Sequence, residues 1–145
     1  MALRRWVTVL ASAALAVSAA SSALAVGTVA IGLPASVANG GFAMGITYNY
    51  SNQGEADAEA LKQCLNFMDA PDSTRALCKV ETHFTNQCFA MAMDPEPGTD
   101  GIGYHVAGSQ ADADTAALRD CQNTSGVDRK SYCRVSYRTC DGTAH

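Results

Sequence analysis

The chain has 145 residues, 48% of them hydrophobic and 17% charged, with a net charge of −4 and six cysteines. At that length one domain is expected. The acidic balance excludes a general electrostatic attraction to nucleic acid.

Arg4 and Arg5 precede an apolar, alanine-rich run from Trp6 to about Ala20, too short for a comfortable membrane span. Ala23-Leu24-Ala25 supplies the small-x-small pattern a signal peptidase accepts. Residues 1–25 are therefore expected to be a secretory signal peptide, and residues 26–145 a single domain with no membrane association after cleavage. Cleavage removes two of the ten basic residues and none of the fourteen acidic ones, so the remainder carries −6. All six cysteines lie in that remainder, and in a small exported domain an even count reads as disulfides. There is no Cys-x-x-Cys pair to suggest zinc, and no other metal or cofactor is expected.

Val26–Leu33, rich in β-branched residues, reads as the first strand, ended by Pro34. Ala35–Gly41 reads as a turn region. From Phe42 to Tyr50 large and small residues alternate. That pattern predicts a strand with Phe42, Met44 and Ile46 on one face and Ala43, Gly45 and Thr47 on the other, the small face lying under a helix or another backbone. A helix starts after Ser51 or Asn52, with Glu55 completing a capping pattern. Leu61, Cys64, Leu65 and Met68 are its apolar stripe. Cys78–Thr85 reads as a strand with Lys79, Glu81 and His83 on its polar face, followed by a tight turn and Cys88–Met93. After a loop with two prolines, Gly101–Ala107 resumes a strand. Ser109 caps a second helix, Asn123–Ser131 is a loop, and Tyr132–Thr139 is the last strand.

The order strand, strand, helix, strand is thus told twice. Ala60-Leu61-Lys62-Gln63-Cys64 returns as Ala116-Ala117-Leu118-Arg119-Asp120-Cys121, and Cys78-Lys79-Val80 as Cys133-Arg134-Val135. Half of such a chain cannot bury both faces of its sheet, so a single unit is expected. The predicted fold is a small disulfide-bonded α+β domain, antiparallel-rich, with two helices packed on the sheet. The repeat also suggests the pairing. Cys64 with Cys78 and Cys121 with Cys133 would each close a helix-to-strand loop, leaving Cys88 with Cys140 to tie the two halves together. The chain-entropy model gives about 3 kcal/mol for each short loop and about 4 for the long one.

These phrases, together with Asn86-Gln87-Cys88-Phe89-Ala90, resemble the secreted bacterial domain-of-unknown-function family 4189, over about Val29 to Cys140. The resemblance implies export, disulfides and a small duplicated α+β domain, and it carries over no catalytic residues. Many members have tryptophan-rich glycine strands where this chain has Gly101-Ile102-Gly103-Tyr104-His105-Val106.

Little in the chain points to chemistry. His83 and Glu81 share a strand face and are the nameable acid–base pair, without a nucleophile. His105 could join His83 at a metal, but a third ligand is missing; His145 is terminal. Asp94, Glu96 and Asp100 make an oxygen-rich loop of the kind calcium takes, at a spacing unlike an EF-hand. Arg134 and Arg138, four apart on a strand, are a candidate anion-binding face, supported by Arg129 and Lys130. There is no Gly-x-Ser-x-Gly and no phosphate-cradling glycine loop. The function expected is an exported, disulfide-stabilised binding or interaction domain, secreted or periplasmic, acting on a protein or an envelope polymer. The alternatives are an inhibitor of secreted hydrolases, or a small exported enzyme acting on cell-envelope material.

Overall fold

The computed structural model describes residues 25–145, so all but the last residue of the expected signal peptide lies outside the described residues. The elements are β1 (Val26–Gly32), a short α1 (Val37–Gly40), β2 (Ala43–Tyr50), α2 (Gln53–Leu65), a short α3 (Asp72–Arg75), β3 (Lys79–Phe84), β4 (Cys88–Met93), β5 (Ile102–Ala107), α4 (Gln110–Thr124), a 3-10 turn (Val127–Tyr132) and β6 (Arg134–Cys140). Asn52 and Ser109 cap the two long helices, each accepting the backbone N–H three residues on. The segments Ala35–Gly41 and Asn123–Ser131, read as turn and loop, carry α1 and the 3-10 turn.

The strands divide into two antiparallel sheets of three, ordered β2-β1-β3 and β5-β4-β6. In each, the first strand of the half is central. The alternation then fixes the layers. Val29 and Ile31 of β1 and Phe89 and Met91 of β4 meet in one core between the sheets, with Ile46, Phe84 and Ile102. The opposite faces are small. Ala30 and Ala43 pack with Ala60 and Cys64 of α2. Ala90 and Ala92 pack with Ala113, Ala117 and Cys121 of α4. The order is helix, sheet, sheet, helix.

The helices come unusually close, and glycine allows it. A β-carbon on Gly45 would lie 1.9 Å from the Ala60 carbonyl oxygen, and one on Gly103 would lie 2.2 Å from the Cys121 nitrogen. Contacts that short are repulsive, so each helix rests backbone to backbone on its sheet at the matching point of each half.

The disulfides are Cys64–Cys78, Cys121–Cys133 and Cys88–Cys140. The last does not tie the halves. Cys88 opens β4 and pairs directly with Cys140 of β6, inside one sheet. The halves are held instead by the shared core and by polar contacts. Tyr104 donates to Glu81 at 3.3 Å, and Asp100 accepts the Ala38 N–H at 2.8 Å.

Each third strand carries a β-bulge. In β3 the register passes from Val29↔Thr82 to Ala30↔Val80, stepping over Glu81. In β6 it passes from Met91↔Tyr137 to Ala92↔Val135, stepping over Ser136. An extra residue reverses the alternation beyond it, so the single period read along Cys78–Thr85 does not hold through the strand.

Candidate functional site

A groove of about 440 Å³ opens between the sheets, bordered by β2 of one and by β4 and β6 of the other. Its walls are Phe42, just before β2, and Met44 of β2, Met91 and Met93 from β4, and Tyr137 from β6. Phe67, in the turn after α2, closes one side, its ring centroid 5.6 Å from that of Phe42. The polar lining is sparse. Ser136, the bulged residue, turns its hydroxyl onto the Met91 carbonyl at 3.3 Å. Asp69 stands exposed at the rim. Burial, with Tyr48 nearby, pushes the Tyr137 phenol up and keeps it neutral. Through Gly41, Phe42 and Met93 the groove continues into a second section of about 230 Å³ beside the Asp94–Thr99 loop.

A concave site of a few hundred Å³, mostly apolar and with few polar groups, has the form of a small-ligand pocket. Methionine lets such a lining adapt to its guest. Sequence reading assigned Phe42 and Met44 to a strand face and gave Phe67 no role. Nothing in the linear pattern says that a groove opens between these side chains.

The acid–base candidates go elsewhere. The bulge carries Glu81 toward Tyr104 and Lys79, away from His83. His83 instead meets Asp57 of α2, Nε2 to Oδ1 at 3.0 Å. The same oxygen accepts from the Thr28 hydroxyl at 2.7 Å and from the Gln53 amide at 2.8 Å. Burial opposes the Asp57 charge, but Thr28, Gln53 and His83 outweigh it and hold the carboxyl below its usual value. The capping and apolar patterns of the helix do not mark this cluster. A matching pair lies in the second long helix, where Gln110 donates to Asp114 at 2.8 Å as Gln53 does to Asp57.

His105 lies in the other sheet, beside Asp120 at 3.4 Å. His145 sits with its ring near the Thr143 carbonyl. The Asp94, Glu96 and Asp100 oxygens do not converge. Arg129 forks onto Asp94 at 2.7 and 2.6 Å and reaches Glu96 at 2.6 Å, while Asp100 turns to Ser36 and Ala38. The arginine bonds, opposed by burial, hold the Asp94 carboxyl below the usual carboxylate range. No group of three or more metal-ligating side chains forms among the described residues.

Arg134 and Arg138 do not share a face as their spacing predicts, because the Ser136 bulge lies between them. Arg138 pairs across from Ala90 on the helix side and contacts Asp114 at 3.3 Å. Arg134 pairs across from Met93 and donates to the carbonyls of Ser131 and Cys133.

A family model described as a domain of unknown function, DUF4189, matches residues 27–140. The chain belongs to the DUF4189 family. No curated protein and no solved structure matches the chain. For this DUF4189 domain the match runs from the second residue of β1 to the last of β6, so both sheets and all three disulfides lie within it. Among the described residues, no helix is long and apolar enough to cross a membrane.

Proposed function

We propose that this DUF4189 domain is an exported binding protein that holds an apolar ligand in the groove between its sheets. The observation that carries this reading is the lining: aromatic and methionine side chains from both sheets facing an open space of about 440 Å³. An ordinary core would fill that space. Three disulfides support the oxidising compartment that export implies, and they brace the framework on which a preformed groove depends. Export would proceed by cleavage after Ala25, which leaves the new terminus at the first residue of β1. A neutral solvatochromic dye should bind the wild type saturably. Phe67→Ser, which removes one wall outside the central core, should weaken it by about tenfold, the scale of losing one large apolar contact. Equal binding by both would place the dye elsewhere and sink the reading.

A second reading rests on the Asp57–His83 pair, whose geometry suits an imidazole oriented for proton transfer. It makes the protein a small hydrolytic enzyme of the cell envelope. Turnover of an envelope polymer by the wild type and its loss in His83→Ala would favour that reading over binding.

A further inference from the structure

We propose that the groove takes an organic cation, an alkylated or quaternary ammonium group carried on an apolar body. This deepens the binding reading and rests on it. Three rings border the space: Phe42 and Phe67, with centroids 5.6 Å apart, and Tyr137 across from them on the other sheet. Aromatic faces carry negative potential, and rings walling one pocket attract a cation too bulky to be tightly hydrated. The methionine sulfurs of the floor are polarisable and add to that preference.

Charge agrees with the rings. Asp69 is the one carboxylate on the lining of the main section, and it takes part in none of the ion pairs among the described residues. The adjoining section is bordered by Asp94 and Glu96, and neither lining contains a lysine or arginine. Arg129 neutralises the Asp94 end, so Asp69 is where a ligand's positive charge finds an unengaged partner. An anion would meet π-faces and a carboxylate, and a neutral apolar guest would gain apolar contact from the rings but nothing from the carboxylate. The net charge of −6 left by cleavage after Ala25 (eight basic against fourteen acidic residues) draws cations toward the molecule as a whole.

The test compares benzyltrimethylammonium with its neutral carbon isostere, neopentylbenzene, and with the anion phenylmethanesulfonate. Methyl-labelled methionine resonances report occupancy. Met44, Met91 and Met93 line the groove, while Met68, 83% exposed and outside the lining, is the internal reference. The cation should shift the three groove methyls and leave Met68 in place. The isostere should bind about tenfold more weakly, within the range for a cation over partly desolvated aromatic faces. Asp69→Asn should cost the cation about threefold, as for an exposed charge pair, and cost the isostere nothing. An isostere that binds as well as the cation would overturn the cation preference while leaving the groove a binding site. A preference that persists undiminished in Asp69→Asn would overturn the role given to that carboxylate. Groove methyls that respond to none of the three probes would overturn both this inference and the binding reading beneath it.

Discussion

Asp141 reaches from the end of β6 into the other half and accepts the backbone N–H of Asn49 at 2.6 Å. Its second oxygen accepts the N–H of Asn86 at 3.3 Å. Both asparagines have positive φ, a conformation their short polar side chains tolerate. Each side chain in turn accepts an N–H from the residues after Asp141: Gly142 on Asn49 and Thr143 on Asn86. A fully buried carboxylate therefore closes the junction where β2, the β3–β4 turn and the chain end meet.

Asp141→Ala leaves two backbone donors without their acceptor. It should lower unfolding free energy by about 1–3 kcal/mol, the usual cost of an unsatisfied buried group. Asp141→Asn keeps an acceptor oxygen and should lose less. Urea unfolding of the three proteins gives the order, and equal midpoints would show that the junction contributes nothing.

Gly45→Ala and Gly103→Ala each push a methyl into helix backbone, where little can yield. Each should cost about 1–3 kcal/mol or more by overpacking. Gly108→Ala meets nothing within 4 Å and should stay within about 0.5 kcal/mol of wild type. Thermal unfolding of the set tests whether the helices rest on their sheets at these two points.

The Arg129–Asp94 fork predicts an acid limb. A carboxyl held below its ordinary value favours the folded state above the pH where the unfolded chain's carboxyls titrate. That contribution disappears as pH falls through the folded value. Arg129→Met should be less stable than wild type near neutrality, because the buried Asp94 loses its partner. The gap in Tm should narrow as the pH falls below the ordinary carboxylate range and Asp94 takes up its proton. A gap independent of pH would mean that Arg129 acts through packing on Tyr132 alone, which it overlies at 4.3 Å.

Most of the fold was legible because its signals are local. Asn52 and Ser109 cap their helices, and Cys88–Met93 is a strand to the residue. The small face Ala43, Gly45 and Thr47 lies under α2, as alternation with small residues suggests. The repeated phrase also pairs the cysteines that the structure pairs. The Cys88–Cys140 bond does not lie between the halves as expected, because Cys88 opens β4 and so belongs with Cys140 to the second half. The bulges at Glu81 and Ser136 were not legible, since an inserted residue leaves no mark in the sequence. Every face drawn across them failed: His83 beside Glu81, and Arg134 beside Arg138. The groove was not legible either. It depends on how two sheets, joined by contacts far apart in sequence, pack against each other.

The central claim, a ligand seat between the sheets, is tested most directly by photolabelling. A neutral alkyl probe bearing a diazirine would be irradiated with the folded protein, and the adducts mapped by peptide mass spectrometry. The account predicts saturable labelling confined to the segments carrying Phe42, Phe67, Met93 and Tyr137, and competed away by unlabelled probe. Labelling that does not saturate, or that gathers around Asp57 and His83 instead, would contradict it.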